Sequence, residues 1–253
     1  MIFLILNLVY DMFMKFLFIL LLLAGCAGAW TPPDDFTRQD IQANDYKIAT
    51  FQKITSRNNI IHIYIEGDGH AFNAHGAPTS DPTPRGTLVR DLAMRDSATN
   101  VVYMARPCQF IMSPACDTID WTDGRFSASV VDSMATAIKS IAGKQPVILI
   151  GYSGGGLVSG LIINRHPEIA VKKWVTIAGV PNHTAWTEYF GDSPLTHSLD
   201  LEKLPHVSAV HYIGARDRVV PPELSRRFLP IDQIREIPAA GHTDFENLDI
   251  DFN

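Results

Sequence analysis

The sequence has no excess of positive charge: 21 Lys and Arg stand against 27 Asp and Glu in 253 residues, a formal net charge of −6. That balance removes the basic footprint that nucleic-acid binding requires. Cysteine is scarce. Cys26, Cys108 and Cys116 show neither CxxC spacing nor a histidine close by, which argues against a zinc site. There is no internal repeat and no low-complexity tract, and the 17 glycines and 16 prolines are dispersed. A long uninterrupted apolar run is also missing. Phe16 to Ala24 is too short to span a bilayer unaided, and Asn7, Asp11 and Lys15 break the segment before it. What remains is 46% hydrophobic and 19% charged, at a length that suits one large α/β domain or two small ones.

The start of the chain reads as a targeting segment rather than part of the fold. From Met14, one positive charge at Lys15 precedes the apolar stretch, the layout of a secretory signal. The upstream residues are either an extended leader or a misplaced start. The stretch ends in Leu23-Ala24-Gly25-Cys26, which resembles the bacterial lipobox. That resemblance implies cleavage before Cys26, a diacylglyceryl group on its thiol, and a lipid-anchored protein of the cell envelope. Ala27 follows the cysteine in place of the aspartate associated with inner-membrane retention, which favours the outer membrane, facing the periplasm. Residues 1–25 are thus expected to be a signal peptide, 26–45 a polar, proline-bearing tether, and 46–253 the folded domain. Export agrees with the other two cysteines. Cys108 and Cys116, eight positions apart in a loop shaped by Pro107 and Pro114, either close a small disulfide ring or remain as buried thiols. A ring of this size contributes roughly 2–3 kcal/mol in the chain-entropy picture.

Beyond residue 45, strand-like and helix-like patterns alternate. "YKIATFQKIT" alternates polar and apolar residues like an outer antiparallel strand, and "NIIHIYIEG", "NVVYMA", "PVILI", "VKKWVTIAG", "VSAVHYIG" and "IREIP" read as further strands. Between them, "TLVRDLAMRDSA", "SASVVDSMATAIKSIAG", "GLVSGLIINRH" and "PPELSRRF" have helical spacing. Such alternation implies right-handed crossovers and a mostly parallel sheet covered by helices on both faces. Functional groups then belong on loops at the carboxyl ends of the strands.

Ser153 occupies such a place. Gly151-Tyr152-Ser153-Gly154-Gly155 fits G-x-S-x-G, with a strand before it and a helix after it. A turn this sharp needs glycines, and it exposes the hydroxyl beside the positive end of the helix. A serine hydroxyl needs a base, and the base needs an orienting acid. Asp217 in "GARDRVVPP" and His242 in "AAGH" follow the next strands in the order serine, acid, histidine. In these residues the chain resembles the α/β-hydrolase family from about Tyr46 to the C-terminus. The resemblance implies an α/β-hydrolase fold, a Ser153–His242–Asp217 catalytic triad and no cofactor. Asp192 is the alternative acid, because some family members carry theirs one strand earlier. Among the other histidines, His62 and His211 fall inside strands, His166 at a helix end, and His183 and His197 in the segment after "VTIAG".

Acyl transfer also needs donors for an oxyanion. Gly154, directly after the nucleophile, supplies one backbone N–H. By similarity to the family's histidine–glycine loops, Asp68 in "YIEGDGHAF" supplies the other, although Glu66 replaces the usual histidine. Calcium or phosphate binding by this turn is disfavoured, since it lacks the ligand count for one and the lysine for the other. Carboxylates so near an oxyanion are unusual, and one of them is expected to turn away, held by the loop's own backbone. The 26 or so residues after "VTIAG" leave room for a flap but not for a large cap domain, and Phe110, Trp121, Trp186 and Tyr189 offer aromatic surface for an acyl chain. The expected function is hydrolysis of a small-molecule or lipid carboxylic ester through an acyl-enzyme. A catalytically silent binding lipoprotein, an acyltransferase and a thioesterase remain alternatives on sequence alone.

Overall fold

A computed structural model describes residues 32–252. Residues 1–25 and Cys26, read above as signal peptide and lipidation site, lie outside the described residues. The strands are β1 (Thr37–Ala43), β2 (Tyr46–Ile54), β3 (Ile61–Ile65), β4 (Asn100–Met104), β5 (Val147–Tyr152), β6 (Val171–Ile177), β7 (Ser208–Gly214) and β8 (Ile234–Ile237). The helices are α1 (Leu88–Arg95), α2 (Ala128–Ala142), α3 (Gly154–Arg165), α4 (His183–Phe190) and α5 (Pro222–Phe228).

The eight strands form one sheet in the order β1-β2-β4-β3-β5-β6-β7-β8. Only the β1–β2 and β2–β4 pairs are antiparallel; every pair from β4 through β8 is parallel. The five buried residues of β3 show how the sheet is covered. Ile61, Ile63 and Ile65 join the main core with Met134 and Ile138 of α2 and Leu157 and Val158 of α3. Alternation turns His62 and Tyr64 to the opposite face, where Asp96, the C-cap of α1, receives their polar atoms. Ser127 caps α2 by accepting the Val130 N–H at 3.3 Å, and Gly143 closes that helix.

One expectation needs correction. Thr37–Ala43, within the stretch read as a tether, is strand β1, paired along its whole length with β2. Four of its first five side chains are exposed, so the sequence carries no apolar face to announce it. Its register comes from the partner strand and from the two-residue turn at Asn44, whose φ of 51° is left-handed. "YKIATFQKIT" is accordingly the second strand from the edge. After β6, the segment up to β7 contains only the eight-residue helix α4, so no large cap domain is present among the described residues.

Candidate active site

Ser153 sits between β5 and α3 with φ 50° and ψ −123°, a conformation that L-residues avoid and that costs about 1–3 kcal/mol. Its backbone is tied down on three sides. The Ser153 N–H donates to the Ile177 carbonyl at 3.0 Å, and the Ser153 carbonyl accepts the N–H groups of Gly156 (2.9 Å) and Val180 (3.0 Å). Gly155 is required by the same turn, since a Cβ there would lie 2.6 Å from the carbonyl oxygens of both Ile65 and Glu66.

Asp217 follows β7 and is buried. Its Oδ1 accepts the N–H groups of Val219 (2.8 Å) and Val220 (2.9 Å), which leaves Oδ2 aimed at the histidine. His242 follows β8, and its loop is held by Arg216 N–H to the Ala240 carbonyl (2.9 Å) and by Gly241 N–H to the Asp244 carboxylate (2.8 Å). The Tyr152 ring lies 5.2 Å from the imidazole, and its hydroxyl donates to the His242 carbonyl. Three loops from the carboxyl edge of the sheet thereby converge. His242 Nδ1 is 2.8 Å from Asp217 Oδ2, and His242 Nε2 is 3.0 Å from Ser153 Oγ. Asp192, the alternative acid, is exposed beyond the end of α4.

The turn after β3 lies against the serine: a Cβ on Gly67 would be 3.1 Å from Ser153 Cβ. Glu66 turns away as expected, buried, accepting the Gly67 N–H at 2.9 Å and the Tyr103 O–H at 2.8 Å. Burial pushes its carboxyl above the ordinary carboxylate range, against the opposing pull of those two donors and of Arg90 and Arg106. The Asp68 carboxylate instead pairs with Arg106 and Arg125. Neither arginine drew notice in the sequence, where no motif or spacing marks them.

The aromatic candidates part company. Trp186 is half-buried beside Arg125, and its indole N–H donates to the Val219 carbonyl at 2.6 Å in the loop that carries Asp217. Tyr189 is exposed, next to Phe190. Trp121 is core, its N–H on the Thr79 carbonyl. Phe110 packs on Phe51 and Tyr103. Cys108 and Cys116 are joined as a disulfide with Cα atoms 5.8 Å apart. His183 is buried, stacked on Phe126, while His197 sits at the surface with Asp123. No cluster of three or more His, Cys, Asp or Glu side chains suited to a metal ion occurs among the described residues.

No protein-family model and no curated protein matches the chain. Solved structures do. A serine hydrolase from the polyaromatic-hydrocarbon-degrading bacterium Cycloclasticus zankles superposes with a TM-score of 0.58 at 14% identity, covering 83% of this chain and 93% of that one. An α/β serine hydrolase without a lid from Xanthomonas campestris gives 0.54 at 12% identity over 85% and 89%. A serine hydrolase involved in carbazole degradation gives 0.56 at 15% over 84% and 94%. With the strand order, the crossovers and these likenesses, the described residues form an α/β-hydrolase fold.

Proposed function

We propose that the protein is a serine hydrolase that cleaves carboxylic esters through an acyl-enzyme. The carrying observation is the continuous hydrogen-bond chain from Asp217 through His242 to Ser153 Oγ, on a strained turn at the carboxyl edge of a parallel sheet. The serine hydrolases named among the structural neighbours support the same chemistry. In this reading His242 Nε2 takes the Ser153 proton as Oγ attacks the ester carbonyl. Asp217 accepts the Nδ1–H and stabilises the imidazolium that forms. The imidazolium then protonates the departing alcohol, and water repeats the cycle on the acyl-enzyme. Gly154, the first residue of α3, has an N–H with no intrahelical acceptor, and with the Asp68 N–H it would receive the oxyanion. The reading invokes no cofactor.

The sequence of residues 23–26 supports lipidation at Cys26 and a position in a bacterial cell envelope, on the periplasmic side of the outer membrane. Intact mass of protein taken from membranes checks this: a chain starting at an unmodified residue other than Cys26 refutes it. For the chemistry, the test is labelling by a fluorophosphonate followed by p-nitrophenyl esters of increasing chain length. Labelling at Ser153 with turnover is expected, and a wild type inert to both overturns the reading.

A further inference from the structure

A turn that offers N–H groups to a developing negative charge should not present carboxylates to it, yet Glu66 and Asp68 flank Gly67. The structure shows what offsets them. Asp68 is gripped by two guanidinium groups, Arg106 Nη1 on Oδ1 and Arg125 Nη1 on Oδ2 at 3.1 Å. Arg106 Nη2 also donates to the Arg125 carbonyl, so the two arginines are linked to each other. Between Arg106 and the oxyanion turn stands Gln109. Its Oε1 accepts the Arg106 backbone N–H at 3.0 Å, and its Nε2 donates to the Gly67 carbonyl at 2.9 Å. Arg106, Gln109 and Arg125 are each at most 5% exposed. All three belong to the segment between β4 and α2, the one closed by the disulfide.

Gly154 completes the fit. A Cβ at that position would collide with Asp68 Oδ1, so the carboxylate fills the space that a side chain after the nucleophile would take. Preorganised donors stabilise an oxyanion only if they are held to within about 0.5 Å. A turn rich in glycine does not hold itself that well.

We propose that Asp68, Arg106, Gln109 and Arg125 form a clamp that aims the Asp68 and Gly154 N–H groups at the oxyanion. Arg106, Gln109, Arg125 and the Asp68 carboxylate act as positioning groups through the backbone, and of these residues only the Asp68 N–H faces the oxyanion. This rests on the serine-hydrolase reading above. It makes a specific kinetic demand, because a misaimed donor raises the barrier without weakening ground-state binding.

The experiment compares wild type with Asp68→Asn, which keeps the volume and removes the ion pairs, and with Arg125→Lys, which keeps the charge and removes the fork. Ester hydrolysis is measured together with inhibition by a trifluoromethyl ketone, which forms an oxyanion on the serine. Expected for Asp68→Asn is a kcat lower by about 10- to 100-fold with KM within about threefold, and a Ki weakened in proportion to kcat/KM. Arg125→Lys should recover part of both and serves as the test if Asp68→Asn does not fold. Folded variants with wild-type kcat and Ki overturn the clamp alone. A wild type inert to esters and to fluorophosphonate overturns the hydrolase reading and the clamp with it.

Discussion

Two histidine–aspartate pairs in this fold share almost the same local geometry and differ in everything around it. His242 Nδ1 meets Asp217 Oδ2 at 2.8 Å, and His62 Nδ1 meets Asp96 Oδ2 at 2.7 Å. The first pair stands on loops at the carboxyl edge of the sheet, and its free imidazole nitrogen reaches Ser153 Oγ. The second joins His62 of β3 to the C-cap of α1; the His62 ring packs 4.2 Å from Phe252, and Asp96 also accepts from the Tyr64 hydroxyl and, through its other oxygen, the Ala98 N–H. An imidazole–carboxylate bond is therefore a general latch. Only the first pair has a serine hydroxyl on a strained turn at the remaining nitrogen.

The comparison breaks first at the nucleophile. Ser153→Ala and His242→Ala should each lower kcat by a factor on the order of 10⁴ to 10⁶ with little change in thermal unfolding, as ester turnover and calorimetry would show. Asp217→Asn should lose on the order of 10⁴, because an amide favours the wrong imidazole tautomer. The same asparagine at 96 should leave kcat within about twofold; a dead Asp96→Asn would make the second pair catalytic and end the contrast.

His62→Phe should instead cost stability, about 1–3 kcal/mol, since it strips a buried carboxylate of one partner. Burial opposes ionisation of Asp96, but the bonds from His62, the Ala98 N–H and Tyr64 outweigh it and hold the carboxyl below its ordinary range. A lowered native value means that this stability is present above the unfolded-state value near 4 and is lost as pH falls through the native one. Urea titrations from pH 6 downward should show an acid loss that shrinks in His62→Phe. His211, fully buried in β7, has its pKa lowered from 6.5 to about 4 by burial. It should remain neutral in the native state and destabilise the fold as pH drops between those values.

Smaller effects follow further from both pairs. Replacing Cys108 and Cys116 by serine should lower stability by about 2 kcal/mol. Because Arg106 and Gln109 flank Cys108, kcat should fall alike for short and long esters; a change confined to chain-length preference would instead place the loop at the acyl pocket. Asp192→Asn should stay within about twofold of wild type, and a large loss would move the acid one strand earlier.

Most of the architecture was legible because it rests on local periodicity: the buried apolar runs of β3, β4 and β5 and the amphipathic α2 each declare themselves over a few residues. The meeting of Ser153, Asp217 and His242 was legible because chain order and strand ends constrain them. β1 was not, since an exposed edge strand gains its stability from β2 and carries no apolar face. Nor were Arg106, Gln109 and Arg125. Their meaning arises only when the segment after β4 folds over the turn after β3, a contact between residues 42 positions apart in the case of Gln109 and Gly67. Phe110, on the same segment, has a φ of 61° and a ring packed on Phe51 and Tyr103.

Ser153, Asp217 and His242 follow β5, β7 and β8, and β8 is the outermost strand, paired only with β7. Under the hydrolase reading, turnover should therefore await the docking of β8. The Ser153 turn is held by β5, β6 and α3, whereas His242 stands on the loop after β8. Non-local parallel pairing of this kind is slow. Under the hydrolase reading, the appearance of ester turnover in a stopped-flow refolding experiment would act as a clock for the final assembly step, lagging behind any probe of the central strands.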